Sequence, residues 1–154
     1  MIQPGSIFPE FSLQNQADET VTNSVFEGKK TVVYFYPKDD TSGCTAQACS
    51  LNDGLEQLAA QGIQVIGVSP DGVKSHQKFI HKYGLKFMLL ADEAHALAEA
   101  LGVWVEKSLY GRKYMGIERS TFLVGPDGAV ECTWPKVKPQ DHATFILSEL
   151  GLNR

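Results

Sequence analysis

Pro37-Lys38-Asp39-Asp40-Thr41-Ser42-Gly43-Cys44-Thr45-Ala46-Gln47-Ala48-Cys49 separates two contrasting patterns. Before it, Thr31-Val32-Val33-Tyr34-Phe35-Tyr36 is continuous, β-branched and aromatic, which predicts a central strand buried on both faces. Pro37, which lacks a ladder donor, ends it. After it, Ala48, Leu51, Leu55 and Leu58 recur at spacings of three and four, so a helix is expected from about Gly43 to Gln61. Cys44 therefore stands where a strand hands over to a helix. In a first helical turn the backbone N–H groups lack partners, and the positive end of the helix favours thiolate over thiol. In α/β sheets the carboxyl end of a strand is also a common cleft. The competing reading is a small buried hydrophobe. The polar, turn-forming Thr41-Ser42-Gly43 just ahead counts against it.

Working outward, Gly62 stops the helix and Ile63 to Val68 forms a second strand, so strand–helix–strand predicts a parallel crossover. A helix follows over Val73 to Tyr83, with Val73, Gln77, Ile80 and Tyr83 as its inward stripe and Gly84 as its stop. Phe87 to Leu90 reads as a strand, and Ala94 to Leu101 as a helix closed by Gly102. Trp104 to Gly116 has no clear period and reads as a surface loop or an edge strand lining a cleft. Ser120 to Val124 and Ala129 to Trp134 flank the tight turn Gly125-Pro126-Asp127-Gly128, an antiparallel hairpin at a sheet edge. Upstream, Phe11 to Leu13 and Thr20 to Thr22 suggest a small hairpin, and Phe26 a core-edge contact. A last helix is expected from Asp141 to Leu150, with Asp141 as its cap and Phe145, Ile146 and Leu150 facing inward.

The 154 residues suit one domain, 1–154, with a sizeable core. A formal charge of −4 and the lack of a basic run argue against a nucleic-acid partner. The N-terminal Met1-Ile2-Gln3-Pro4-Gly5 does not read as a signal peptide, and no apolar run approaches a membrane span, so the cytoplasm is the expected location. Three cysteines in a chain of this size argue against a disulfide framework. The four histidines show no metal-ligand spacing with the cysteines, and no glycine pattern fits a dinucleotide. No metal or cofactor is expected.

The spacing of Cys44 and Cys49 carries a mechanical consequence. In an intact helix five residues turn through about 500° and rise about 7.5 Å, placing the Cα atoms roughly 8 to 9 Å apart. A disulfide needs them within about 7 Å. Cys44 shares the face of Ala48 and Leu51, whereas Cys49 shares that of Asn52, Asp53 and Glu56. A bond between the two requires the first turns of this helix to unwind. Two cysteines that never pair are the alternative.

Pro37, Thr41 and Cys44 together resemble the active-site motif of the peroxiredoxins, Pro-x-x-x-Thr-x-x-Cys. A cysteine five residues further on is similar to the bacterioferritin comigratory protein subgroup, also called peroxiredoxin Q. Gly111 to Phe122, and Trp134-Pro135-Lys136-Val137-Lys138, resemble that subgroup too. The resemblance implies an α/β, thioredoxin-like fold with a central mixed β-sheet flanked by helices and an N-terminal β-hairpin. It implies a thiol peroxidase that reduces hydrogen peroxide and organic hydroperoxides. Cys44 would be the peroxidatic thiolate, becoming a sulfenic acid. Cys49 would resolve it as an intramolecular disulfide, and thioredoxin or a similar dithiol protein would reduce that bond. Arg119 is the implied cationic donor, Thr41 a hydroxyl partner for sulfur and peroxide, and the Gly43 and Cys44 amides further donors. Pro37 would shape and shield the pocket. The subgroup is commonly monomeric. Two positions depart from its usual pattern: Ser42 stands where proline is frequent, and Gln47, which removes a negative charge, where glutamate is. Cys132 is read as incidental, with a second resolving role or an intermolecular bond as its alternatives. A peroxide-sensing interaction protein using the same cysteines is the alternative function.

Overall fold

A computed structural model describes residues 1–151. The N-terminal hairpin forms as expected: β1 (Ser12–Asn15) and β2 (Thr20–Thr22) pair antiparallel, with Leu13 opposite Val21. The apolar run becomes β3 (Lys30–Phe35). Val32, Tyr34 and Tyr36 point into one core, and Val33 and Phe35 into the other. The two-residue period of a strand thus explains why an unbroken apolar run is needed here. β4 (Ile63–Ser69) lies parallel to β3, and β5 (Met88–Ala91) parallel to β4. β8 (Ser120–Val124) runs antiparallel to β3, and β9 (Val130–Trp134) antiparallel to β8. The result is a mixed seven-stranded sheet ordered β2-β1-β5-β4-β3-β8-β9. Among these strands β3 sits inside the sheet with a parallel neighbour on one side and an antiparallel one on the other.

Helices cover both faces. On one lie α1 (Ser42–Asp53), α2 (Leu55–Ala60), α3 (Val73–Tyr83) and α5 (His142–Glu149), packed around Tyr34, Tyr36, Leu51, Leu58, Phe79 and Ile146. On the other lies α4 (Ala96–Leu101), packed with Phe8, Phe26, Phe35 and Phe122. The Trp104–Gly116 region is neither a loop nor a lone edge strand. It is a separate antiparallel ribbon of β6 (Trp104–Leu109) and β7 (Arg112–Ile117). Much of both strands is exposed, so neither shows the alternation a half-buried strand needs.

Three further expectations are corrected. The helix after Cys44 does not run unbroken to Gln61; it breaks at Gly54 into α1 and α2. A Cβ on Gly54 would come within 2.4 Å of the Ala143 Cβ, so the break sits at the close contact with α5. In α3 Ile80 and Tyr83 pack against the core as expected, but the fully buried residues are His76 and Phe79, and Gln77 is exposed. A histidine takes this core position because both ring nitrogens are hydrogen-bonded, to Asp39 and to the Leu90 carbonyl. In α5 Ile146 is buried and Leu150 at its end packs against the core as expected, but His142, Ala143 and Leu147 are buried too, and Phe145 is 39% exposed. Asp141 occupies the cap position with φ of 55°, and its side chain makes no capping bond. The left-handed backbone there turns the carboxylate away from the helix N–H groups that an extended cap residue would reach.

The Gly54 contact gives a direct test. Gly54→Ala is expected to cost about 2 kcal/mol, because overpacking of a closed contact forces the two helices apart. Urea denaturation under reducing conditions measures it, and an unchanged midpoint would show that α5 moves freely.

Candidate active site

The loop that carries Cys44 is held from beneath and from the side. Asp39 is buried, and its carboxylate accepts hydrogen bonds from the Tyr36 hydroxyl at 2.6 Å and the Ser75 hydroxyl at 2.8 Å. His76 Nδ1 lies 2.7 Å from the same carboxylate. Its Nε2 lies 2.9 Å from the Leu90 carbonyl, which can only accept, so that nitrogen carries a proton. The Asp39 N–H donates to Asp71 at 2.7 Å. Next to it Asp40 adopts φ of 58°, a left-handed conformation aspartate tolerates better than most residues. Its carboxylate accepts from Lys82 at 2.8 Å and from Tyr83 at 2.6 Å. Those bonds, Lys82 first, hold the Asp40 carboxyl below the usual carboxylate range. Strand β3 and helix α3 thus fix the two residues that precede Thr41.

Helix α1 then begins without a side-chain cap at Thr41. The Thr45 N–H is the first to find a backbone acceptor, the Thr41 carbonyl at 2.8 Å. Among the described residues the N–H groups of Ser42, Gly43 and Cys44 have none, so the positive end of the helix is open beside the sulfur. Cys44 is only 2% exposed, with Ala48 and Leu51 below it on the same face. The side chain that meets it is Arg119, whose Nη2 donates to Cys44 Sγ at 3.3 Å. Arg119 follows β7 and precedes β8, and its carbonyl accepts the Val137 N–H at 2.9 Å. Gly43 allows the approach, since a Cβ there would sit 3.3 Å from Arg119 Nη2 and 3.7 Å from Pro139 Cγ.

The expected residues Pro37, Thr41, Gly43, Cys44 and Arg119 are thus gathered at one end of β3 and α1. One detail differs from expectation. The Thr41 hydroxyl donates to the Lys38 carbonyl at 2.9 Å rather than to the sulfur. Its proton is therefore committed, and its lone pairs are what it offers. Pro37 is partly buried at the start of the same loop.

Residues that no local pattern marked also border the site. Gln47, one helical turn beyond Cys44, is fully buried, and its Oε1 accepts from Arg119 Nη1 at 2.6 Å. Its Nε2 lies 2.8 Å from Nδ1 of the buried His142, whose Nε2 lies 3.1 Å from the Thr121 hydroxyl. Tyr34 stacks on Tyr36, and its hydroxyl has no partner among the described residues. Burial first, and then the negative charge Cys44 can carry, hold the Tyr34 phenol well above its usual range, so it stays neutral. On the β6–β7 ribbon, burial and then the Arg119 charge push the Lys107 ammonium down. Gln47 meets Arg119 and His142 from 72 and 95 residues away, so only the fold brings them together.

The other two cysteines are free thiols in different settings. Cys49 lies within α1, half-buried on the wall of a cleft of about 420 Å³ with Asp53, Gly54, Asp141 and Ala143. Burial and then the Asp53 carboxylate push its thiol up, so within the helix it stays protonated. Cys132 lies in β9 opposite Leu123, where burial and then Glu131 also push the thiol up.

Burial, and then Arg119, lower His142 to about 4 from an ordinary value of 6.5. The unfolded chain therefore binds a proton between pH 6.5 and 4 that the folded chain resists. Stability falls as pH falls through that window, by up to about 3 kcal/mol from this group. Urea denaturation at pH 7 and pH 4.5 should show a smaller loss in His142→Asn than in the unsubstituted chain; equal losses would contradict the burial argument.

The comparisons with known proteins agree with this geometry. Residues 4–133 match the AhpC/TSA family. Peroxiredoxin Bcp of Bacillus subtilis is 46% identical over 149 residues, covering 97% of this chain and 95% of that protein. The bacterioferritin comigratory protein of Xanthomonas campestris, studied for alkyl peroxide reduction, superposes with a TM-score of 0.87 at 39% identity, covering 98% of this chain and 96% of that one. A PrxQ variant of Xylella fastidiosa superposes with a TM-score of 0.91 at 35% identity, covering 98% and 96%. The chain therefore belongs to the AhpC/TSA family of thioredoxin-fold peroxiredoxins, within the bacterioferritin comigratory protein and peroxiredoxin Q subgroup.

Proposed function

We propose that Cys44 is the peroxidatic residue of this thiol peroxidase and that Cys49 resolves it. The observation that carries the assignment is the Arg119 guanidinium 3.3 Å from a buried sulfur at an uncapped helix N-terminus. Both features set positive charge and hydrogen-bond donors beside the attacking sulfur, and the nucleophilic form of a cysteine is its thiolate. The sulfur attacks the terminal peroxide oxygen; an S–O bond forms as the O–O bond breaks. Hydrogen peroxide leaves as water and an organic hydroperoxide as an alcohol, once the departing oxygen takes up a proton. Cys44 is left as a sulfenic acid. Charge grows on the departing oxygen, so donors fixed around it lower the barrier. Arg119 retains N–H groups beyond the two used by Cys44 and Gln47, and the amides of Gly43 and Cys44 are unpaired. The Thr41 oxygen, its proton held by Lys38, is suited to accept the hydroxyl proton of an incoming peroxide. Pro37 walls the pocket and competes for none of these bonds.

Resolution needs a change of shape. Cys44 and Cys49 both lie within the continuous helix α1, where the rise between them is about 7.5 Å. Unwinding the first turns frees both thiols and takes Cys49 out of the surroundings that hold it protonated. Condensation of the Cys49 thiol with the sulfenic acid then releases water. A dithiol protein of the thioredoxin kind reduces the disulfide, and the protein acts as a monomer in the cytoplasm. The three free thiols and the absence of any described helix long and apolar enough to cross a membrane are consistent with that setting.

Mass spectrometry before and after one equivalent of peroxide tests the assignment. A single Cys44–Cys49 disulfide is expected, lost again on adding reduced thioredoxin. Cys44→Ser should abolish peroxide consumption. Cys49→Ser should complete one oxidation and accumulate a trappable sulfenic acid. Turnover in Cys44→Ser would overturn the peroxidatic role, and a Cys44–Cys132 bond would transfer the resolving role to Cys132.

A further inference from the structure

The polarity of the buried chain Arg119–Gln47–His142–Thr121 can be read without ambiguity. A guanidinium only donates, so the Gln47 atom 2.6 Å from Arg119 Nη1 must be the carbonyl oxygen. That leaves the amide nitrogen, also only a donor, facing His142 Nδ1 at 2.8 Å. Nδ1 must therefore be bare, and the ring proton sits on Nε2, donating to the Thr121 hydroxyl at 3.1 Å. All four residues are held in place by the fold: Gln47 on α1, Arg119 between β7 and β8, Thr121 on β8, and His142 at the start of α5. Gln47, His142 and Thr121 are each fully buried. Burial keeps His142 neutral, as this arrangement requires.

We propose that His142 is a positioning residue for the peroxidase reaction: accepting from the Gln47 amide nitrogen, it locks Gln47, whose oxygen in turn holds Arg119 beside the Cys44 sulfur. The inference rests on Cys44 being the reacting centre. Arg119, which can only donate, draws the Gln47 oxygen to itself; His142, accepting at a bare Nδ1 from the amide nitrogen, holds the other end and so locks the amide in that orientation. With a neutral amide at this position, no carboxylate draws the guanidinium charge away from the sulfur. A glutamate there offers acceptors only, so Nδ1 would have to carry the ring proton and Nε2 would accept from Thr121. The identity of residue 47 thus fixes the tautomer of a histidine 95 residues away.

Two measurements test this. The first needs no activity: ¹⁵N NMR of the imidazole nitrogens of the reduced protein near pH 7. The expected result is a neutral His142 protonated on Nε2, changing to protonation on Nδ1 in Gln47→Glu. Protonation on Nδ1 in the unsubstituted chain, or the same tautomer in both, overturns the proposal. The second compares Cys44 oxidation by peroxide with its alkylation by iodoacetamide, which builds no charge on a departing oxygen atom, in a Cys49→Ser background. Gln47→Ala and His142→Phe should slow oxidation about 10-fold or more but alkylation much less, since an oriented donor counts most where oxyanion charge develops. His142→Asn, which retains an acceptor near the Nδ1 position, should recover most of the loss. Equal slowing of both reactions in Gln47→Ala, or no recovery with asparagine, would make the role merely structural. An inert Cys44 in the Cys49→Ser protein itself would overturn the peroxidase assignment while leaving the tautomer result to stand.

Discussion

A single guanidinium contact on a nearly inaccessible sulfur organises this molecule. Arg119 Nη2 lies 3.3 Å from Cys44 Sγ. A thiolate in an apolar core is costly unless charge and donors surround it. Most of the neighbourhood is apolar: Tyr34, Tyr36, Ala48 and Leu51 share the cluster with Cys44. The compensating charge must therefore arrive from elsewhere in the fold, and it comes from the junction of β7 and β8. The close approach is eased by the missing side chain at Gly43, and the Arg119 carbonyl is tethered by the Val137 N–H. It also needs Arg119 held from behind, which Gln47 does.

The same requirement explains the buried polar network under the loop. Asp39, Tyr36, Ser75 and His76 are mutually hydrogen-bonded in the core. Together they fix the exit of β3, while Lys82 and Tyr83 fix Asp40 one residue later. The start of α1 is thus rigid on its upstream side. Downstream, Gly54 ends α1 after three turns against α5. The proposed reactive cysteine and the proposed unwinding segment thus share the twelve residues of α1, whose inner face, Cys44, Ala48 and Leu51, packs in the core.

What the sequence made legible was local. The run Thr31 to Tyr36 announced a strand buried on both faces because its period is two and its residues are β-branched or aromatic. Cys44 could be placed at a helix start from Ser42, Gly43 and the leucine spacing that follows. Positions governed by distant partners were not legible. Nothing in the spacing of α3 shows that His76, rather than Gln77, is buried; Asp39 and the Leu90 carbonyl decide that. Gly54, where the helical pattern breaks, packs so closely on Ala143 that no side chain fits there, a contact that the local sequence does not show. The β6–β7 ribbon was missed because its strands are too exposed to alternate. Gln47 was noticeable only as a departure from a family habit, and its partner His142, at the far end of the chain, carried no sequence signal. The disagreement over Thr41 is of the same kind: which acceptor its hydroxyl chooses depends on the turn of the loop.

In the proposed cycle Cys44 reacts while α1 is intact and reaches Cys49 only after its first turns unwind. Amide hydrogen exchange of residues 45–53, comparing the reduced protein with the peroxide-oxidised disulfide form, follows that unwinding. Slow exchange at Ala48 and Cys49 is expected in the reduced state, fast exchange after oxidation, and little change in β3 and β4. Equal protection of those amides in both states, with the Cys44–Cys49 bond verified by peptide mapping, would contradict the proposed unwinding.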